Sequence, residues 1–242
     1  MNPKSLNSRL PRILPFATVF LVGCETTSIS DPGGYSASSG VPSRSRLYRG
    51  EIAEYELLGI GGTNRITDDD IRKALASAQP VRLRRGASVL LVQSGAIQPD
   101  EPLRSGLAES FKVVPFGGRP GDGGTDGRAV RLAAAHAGCD HIVACWGVLE
   151  SASQQYGTEL VSWVPLVGWA IPEQTRRTRM RLKVAIIDTR TGSWSVFTTQ
   201  PREEDATTGY LNRDSGRVAQ VEKLKRACYA EAVKTLLDRH TD

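Results

Sequence analysis

The sequence has few of the side chains from which hydrolytic active sites are usually built. It contains three histidines among 242 residues, and aromatic residues make up only 6% of it. None of His136, His141 and His240 belongs to an H-E-x-x-H motif, and no serine stands in a G-x-S-x-G turn. The patterns of helical zinc proteases and of hydrolases with a strained nucleophile turn are therefore absent. We predict no catalytic residue, no metal site and no cofactor.

A hydrophobic run long enough to cross a membrane is also absent. A spanning helix needs about 20 apolar residues, and the apolar stretch near the amino terminus, Ile13–Val22, reaches only about half of that length. The residues before it carry positive and no negative charge, on Lys4, Arg9 and Arg12. This layout is typical of a cleaved signal peptide, which we assign to residues 1–23.

The end of this stretch, Leu21-Val22-Gly23-Cys24, is similar to the bacterial lipobox, in which a cysteine that follows small residues carries the lipids. Acyl chains on Cys24 would hold the protein on a membrane, because each buried methylene contributes about 0.8 kcal/mol. Glu25 is not the aspartate associated with inner-membrane retention. We therefore expect the periplasmic face of the outer membrane, with the inner membrane as one alternative and an ordinary secretory signal as another.

The excess of positive charge is small once the signal peptide is removed. Residues 1–23 contain three basic residues and no acidic one, so their removal lowers the formal net charge from +5 to +2. The pI of 9.2 belongs to the precursor and reflects its targeting signal. We expect no nucleic-acid partner.

Composition divides the rest of the chain into two regions. Residues 24–45 are rich in Ser, Gly, Pro and Thr and have few large apolar side chains, so we predict a lipidated flexible tether. Residues 46–239 have the length of one domain with a full core, and no solenoid period repeats in them.

The periodicity of residues 46–239 predicts an α/β fold. The clearest helix begins at the N-cap Thr67, and the clearest strand is the apolar run Ala87–Gln93, which we expect in the centre of a sheet. We predict strands over 47–60, 87–93, 112–116 and 140–149, a hairpin over 177–188 and 193–200, and helices over 67–79, from 100, over 128–137 and over 216–239. The result is a single domain with a mixed sheet in the order β-α-β-α-β, hairpin and C-terminal helix, with the helices packed on the sheet.

Three segments are arranged as in a known family: the strand Ala87–Gln93, then AGCDHIVACWG, then IIDTRTGSW with its turn Asp188-Thr189-x-Thr191-Gly192. Over residues 85–239 the chain resembles the envelope domains typified by the curli secretion-channel lipoprotein and the amino-terminal domain of the Tol-system propeller protein. The resemblance implies a non-enzymatic assembly, channel or scaffold protein. Long paired segments of alternating residues, which membrane-spanning hairpins need, are missing, so we do not expect a pore.

Four neighbouring side chains look like metal ligands: Cys139, Asp140, His141 and Cys145. In a strand, His141 and Cys145 would lie about 13 Å apart, whereas zinc ligands lie about 2.0–2.3 Å from one ion. We therefore interpret them as structural. The three cysteines after Cys24 either are small buried side chains or include a bridge between Cys139 and Cys228.

Two features point to contacts rather than to chemistry. The segment Leu160–Pro172 is too apolar for an ordinary exposed loop and too short to span a bilayer, and it contains Trp163, Leu166 and Trp169. We predict that it contacts another protomer, a partner protein or the membrane; the alternative is a loop folded onto its own core. The next strand carries a basic face, which would attract anionic lipid or an acidic partner unless it is simply solvated: Arg177, Arg179, Arg181 and Lys183.

Together these features predict a membrane-anchored periplasmic lipoprotein that acts as a non-enzymatic binding or assembly component of the bacterial cell envelope. Its expected partners are the membrane, through the lipid anchor, and a second copy of itself or another envelope protein. The alternative is an envelope hydrolase, or another enzyme, with an unrecognised site.

Overall fold

The computed structural model describes residues 24–31, 48–60, 66–119, 126–154, 174–208 and 213–242. Within them, seven strands form one mixed sheet with helices packed on it, which confirms the predicted α/β class. The strands are β1 (Cys24–Ser28), β2 (Ser88–Ser94), β3 (Lys112–Gly118), β4 (His141–Gln154), β5 (Gln174–Asp188), β6 (Trp194–Thr198) and β7 (Arg202–Thr208). The helices are α1 (Glu54–Leu57), α2 (Asp68–Ser77), α3 (Glu101–Ala108), α4 (Gly127–His136) and α5 (Arg213–His240).

The parallel strands lie in one half of the sheet, which we call the proximal half. Its strand order is β3-β2-β4-β5-β6, and β2 runs parallel to both of its neighbours. The predicted central position of β2 is confirmed, because its residues 89–92 are at most 1% exposed. A strand that is buried on both faces has apolar residues at successive positions, which explains the sequence Val-Leu-Leu-Val.

Strands β4 and β5 are longer than their proximal neighbours and continue into a second half, which we call the distal half. There β1 pairs antiparallel with β4, with Cys24 opposite Ala152. On the other side β7 pairs antiparallel with β5, with Arg202 opposite Met180. The distal half is therefore an antiparallel sheet in the order β1-β4-β5-β7.

The sheet separates the core into two clusters, one on each of its faces. The first core lies under α3 and α5 and extends over both halves, whereas the second lies with α1 and α4 on the other face of the proximal half. The first includes Leu91, Leu107, Leu149, Leu182, Val221 and Tyr229, and the second includes Leu57, Leu90, Val130, Ile142 and Ala185. The outer face of the distal half carries charged side chains instead.

Local signals explain where two of the helices begin and end. The hydroxyl of Thr67 accepts a hydrogen bond from the Asp70 N–H at 3.3 Å, and the Asp70 carboxylate accepts one from the Thr67 N–H at 2.9 Å, which is a capping box at the start of α2. The Asp126 carboxylate accepts from the Arg128 N–H at the start of α4. Beyond its end, Gly138 has a φ of +68°, the left-handed conformation that glycine adopts readily.

The first residues of the predicted tether belong to the sheet. Cys24–Ser28 form β1, and the side chain of Ile29 is 1% exposed, packed against Gly147 where there is no room for a Cβ. The prediction of a tether over 24–45 is therefore wrong for its first residues, and its later residues lie outside the described ranges. Composition misleads here because an edge strand is held by backbone hydrogen bonds, which any residue type can make.

Two other differences concern strands. The strand predicted over 47–60 is wrong, because its apolar side chains Ile52 and Leu57 enter the second core from an irregular segment and from α1. The distal strand β7 was not predicted, since its sequence Arg-Glu-Glu-Asp-Ala-Thr-Thr has no apolar alternation. Its charged side chains contact neighbouring elements, for example Arg202 with Glu231 of α5 at 2.8 Å.

Candidate interaction surfaces

The predicted basic face lies on β5, on the side of the sheet away from the first core. The alternate residues Met180, Leu182 and Val184 are at most 3% exposed, as the alternation predicted. The basic side chains themselves do not enter the core. These side chains therefore lie on the outer face of the sheet. The charges beside them determine whether this face can attract an anionic partner.

Each of these basic side chains lies beside a carboxylate. The pairs are Arg177 with Asp205 at 2.9 Å, Arg179 with Glu203 at 3.5 Å, Arg181 with Glu150, and Lys183 with Glu54 at 2.5 Å. The hydrogen bond from Arg177 lowers the pKa of Asp205. We call this set the charge ladder. Because its positive and negative charges balance, the ladder offers little net attraction for an anionic surface.

The predicted contact segment, with Trp163, Leu166 and Trp169, lies outside the described residues. The structure does place the strand ends on either side of it. β4 ends at Gln154, β5 begins at Gln174, and Gln154 lies opposite Thr175. The chain therefore leaves and re-enters the sheet at the far end of the distal half.

The proposed lipid-bearing residue lies at that same end. Cys24 is opposite Ala152 of β4, and Ala152 is in turn opposite Arg177 of β5. Sequence reasoning missed this proximity because it placed a tether after Cys24. The only signal in the sequence is Ile29, the single large apolar residue between positions 25 and 34.

Helix α2 presents an exposed apolar face. Every α2 side chain whose exposure the structure describes is exposed, including Ile71 at 51% and Leu75 at 73%. The apolar periodicity of this helix was predicted, but its exposure was not. An amphipathic helix with its apolar side in water is a candidate surface for another macromolecule.

The carboxyl end of β2, where open α/β sheets usually bind ligands, is filled by the chain itself. Gln93 and Ser94 are at most 3% exposed. The Ser30 hydroxyl donates to the Ser94 carbonyl at 2.6 Å, the Gln93 amide donates to Ser30 at 3.2 Å, and the Ile52 N–H donates to the Ser94 hydroxyl at 2.7 Å. A Cβ on Gly95 would lie 2.6 Å from the Tyr48 ring. Segments from the amino-terminal part thus occupy this edge.

A buried charged cluster joins α5 to the start of α3. The Asp100 carboxylate accepts a hydrogen bond from the Tyr229 hydroxyl at 2.6 Å and lies 3.0 Å from the ammonium of Lys225, whose side chain is 7% exposed. Burial, together with the Asp100 charge, raises the pKa of Tyr229 well above its ordinary value. Sequence reasoning missed this cluster, and we interpret it as a structural link because its polar atoms satisfy one another.

The cysteine and histidine candidates are separated by the sheet. Cys139 lies in the second core and Cys145 and Cys228 in the first, and all three are free thiols, so the considered bridge between Cys139 and Cys228 is not formed. His141 Nε2 lies 3.9 Å from an Asp188 oxygen. Among the described residues, His, Cys, Asp and Glu do not group in threes around a common metal position. No helix within those ranges is long and apolar enough to cross a membrane.

Comparison with known proteins identifies a family and two solved structures with a weak likeness to this chain. A family model described as YafT bacterial lipoprotein matches residues 53–239, while no curated protein matches the chain. The PelC dodecamer from Paraburkholderia phytofirmans is 15% identical, covers 64% of this chain and 95% of its own, and has a TM-score of 0.28. Lipoprotein GNA1162 from Neisseria meningitidis is 16% identical, covers 57% of this chain and 96% of its own, and has a TM-score of 0.26. Likenesses at this level assign neither assembly nor function to this chain.

Proposed function

The chain belongs to the YafT bacterial lipoprotein family, and from this premise we propose that it is a non-enzymatic assembly component of the cell envelope. In this proposal lipid on Cys24 anchors it at the periplasmic face of the outer membrane. The observation that carries the assembly role is the exposed apolar face of α2. Burying Ile71 or Leu75 of that face against a partner would contribute about 1.5–3 kcal/mol for each side chain.

The partner that we assign to α2 is a second copy of the chain, through the outer face of α4. On α2, Asp68 precedes Ile71 and Leu75 along one face, and on α4 the exposed Arg128 precedes Leu132, which is 60% exposed. Parallel packing of these helices sets an acidic residue against a basic one and apolar residues against each other. Because the two faces differ, the contact is heterologous and extends into a ring or a chain of copies.

The apolar segment Leu160–Pro172 supports a second contact, with the membrane or with another protein. Trp163 and Trp169 each combine a large apolar body with one N–H donor, the type of side chain that most often dominates binding energy, and Leu166 lies between them in sequence. The balanced charge ladder adds little to such a contact, so we expect it to depend on apolar area rather than on charge.

Cross-linking in intact cells tests the assembly proposal. We expect discrete oligomers of the wild-type protein and their loss in Leu75→Asp, which places a charge in the α2 face. Ala76→Asp is the matched control, because it adds the same charge to the same helix on another side, and it should keep the oligomers. A wild-type protein that cross-links only to a different envelope protein would contradict the second copy as partner.

The non-enzymatic part of the proposal needs its own test. We expect the purified protein to turn over none of a panel of ester, peptide and glycan substrates, because no nucleophile, base and acid constellation was found in its sequence. Turnover that disappears in His136→Ala or His141→Ala would favour the hydrolase instead.

A further inference from the structure

Strand β6 is an outer edge of the sheet, and every second residue of it turns its backbone groups away from β5. Just beyond β6, the Thr199 N–H donates to the Leu182 carbonyl of β5 at 2.9 Å. In an antiparallel pair the residues that bond to one neighbour alternate along the strand. The N–H and C=O groups that face outward therefore belong to Trp194, Val196 and Thr198. Within the described ranges, no hydrogen bond reaches these outward groups.

The other edges of the described sheet are protected against pairing. In β3, Pro115 has no N–H to donate. In β7, the Glu204 carbonyl accepts from the Gln220 side chain at 2.7 Å. In β1, the Ser28 carbonyl accepts from the Asp31 N–H at 3.2 Å. Strand β6, with the sequence Trp-Ser-Val-Phe-Thr, has neither proline nor charge. Since natural proteins usually block their exposed edges, this open edge indicates a site that pairs with another strand.

The open edge is short and ends in a β-bulge, where residues 199–201 oppose the shorter segment 181–182 of β5. The side chains of the outward residues lie on the face of the second core. There Val196 is half-buried against that core, whereas Trp194 is 45% exposed and Thr198 is exposed. Aromatic and β-branched side chains pair favourably across neighbouring strands. The edge therefore offers matching side chains as well as free backbone groups.

We propose that β6 pairs antiparallel with β6 of a second copy, about a two-fold axis at Val196, so that the two sheets become one. Val196 then lies opposite Val196 of the second copy, and Trp194 of each copy lies opposite Thr198 of the other. In this register every outward N–H meets a carbonyl, and no like charges oppose each other. The β6 edge is thus its own complement, whereas β3 lacks a donor at Pro115.

This two-fold contact goes beyond the proposed self-assembly through α2 and does not rest on it. A two-fold contact closes with two copies, whereas the heterologous contact of α2 extends into a ring or a chain. Rotation about an axis leaves the height along that axis unchanged. Cys24 of both copies therefore lies at the same height, and both proposed anchors reach one membrane when the axis is normal to it.

Cysteine substitution in intact cells tests the register. In Val196→Cys the two Cα atoms would lie about 5.5 Å apart, within the range of about 4.4–6.8 Å that a disulfide spans. We expect a disulfide-linked dimer on a non-reducing gel after mild oxidation. Thr198→Cys is the matched control, because it lies on the same edge and face but about 13 Å along the strand from its copy, so it should give no dimer. The wild-type protein sets the background, since its Cys139, Cys145 and Cys228 are buried.

Charge reversal at the edge tests the pairing itself, in the Val196→Cys background. Trp194→Lys with Thr198→Lys sets positive charges opposite each other at both ends of the contact, so the dimer should be lost. Trp194→Glu with Thr198→Lys sets opposite charges there and should restore it. Within one copy the two positions are about 13 Å apart along the strand, so the rescue requires the second copy. Circular dichroism verifies that both variants fold, as expected for exposed positions.

Combination with Leu75→Asp separates this inference from the proposed function. The Val196→Cys dimer should persist when the α2 face is disrupted. If it disappears, the α2 contact alone brings the β6 edges together, and the two-fold contact is wrong while the proposed assembly stands. If the dimer forms but Leu75→Asp leaves all oligomers unchanged, the proposed α2 contact is wrong and the β6 contact stands. Equal dimers from Thr198→Cys, no dimer from Val196→Cys, or its disulfide to a different protein would each overturn the inference.

Discussion

The proximal and distal halves share strands β4 and β5, yet the burial pattern of these two strands differs between the halves. In the proximal half, residues 141–145 of β4 and 184–187 of β5 are buried without interruption, because a core lies on each face. In the distal half, the same strands alternate between buried and more exposed residues, because only one face is covered. The hydrophobic pattern of a strand therefore depends on whether helices cover one or both faces of the sheet around it.

The change of pattern occurs at one line across the sheet. The unbroken series of pairs in which both residues are buried ends at Cys145 and Val184, and the next pair, Trp146 and Lys183, is partly exposed in both members. The second core ends at this line. Beyond it, charged side chains replace apolar ones on the outer face. The difference predicts that substitutions on the outer face will be costly in one half and mild in the other.

The largest expected effect tests that prediction directly. Ile142→Ala removes a fully buried side chain from the second core and Leu149→Ala removes one from the first core, and each should lower the free energy of unfolding by about 2–5 kcal/mol. Val148→Ala, on the outer face of the distal half, should cost about 0.5 kcal/mol or less. Urea unfolding measures all three. A cost for Val148→Ala equal to the others would show that the distal outer face is covered.

A smaller effect is expected at the buried cluster in the middle of α5, the helix that spans both halves. Asp100→Asn keeps the shape of the side chain but leaves the Lys225 charge without its nearest carboxylate, so the free energy of unfolding should fall by about 1–3 kcal/mol. Tyr229→Phe removes only the hydroxyl donor and serves as the milder comparison. Both halves should still unfold in one transition, and two separate transitions would contradict the role of α5 in joining them.

Acidification should destabilise the whole protein through the proximal half, because the buried His141 and the half-buried His240 lie there. Burial lowers the pKa of His141, although Asp188 and Asp140 oppose this, and burial likewise lowers the pKa of His240, which stacks on Phe197. The unfolded chain then binds protons more readily, so stability is full above the ordinary histidine pKa and declines as the pH falls from about 7 to 5.

Thermal unfolding across this pH range measures the effect. His141→Asn should flatten the pH dependence, and adding His240→Asn should flatten it further. His136→Asn is the control, since that side chain is exposed on α4. A steeper dependence in His141→Asn would mean that the imidazolium is stabilised by Asp188 in the folded protein.

The smallest effect is expected in the charge ladder. Arg177 and Asp205 are exposed partners, so their ion pair should add little to stability, and less at high salt. A double-mutant cycle with Arg177→Ala and Asp205→Ala measures this coupling. A coupling as large as the cost of Leu149→Ala would indicate that the distal outer face is shielded from water, which contradicts the contrast between the halves.

Much of the fold could be predicted from local patterns, and the two missed strands share one cause. The run Ala87–Gln93, the capping residue Thr67 and the Gly138 terminus each act over a few residues, so their elements were predicted correctly. Strands β1 and β7 were missed because they lie at sheet edges and have polar or charged sequences. Of the candidate site, the four basic residues of β5 were correctly placed on one face, but their carboxylate partners come from β4, β7 and α1 and could not be inferred from spacing.

The sequence by itself determined the order of the central elements, the alternation of β5 and the lipobox-like motif that ends at Cys24, because these depend on side-chain period and on short motifs. Only the tertiary structure decided that Cys24 lies beside Ala152, that α2 exposes its apolar face, and that the charge ladder is balanced. The physical reason is that strand pairing at an edge relies on backbone groups common to all residues, and that the partner of a charged side chain is set by which distant strand arrives next to it.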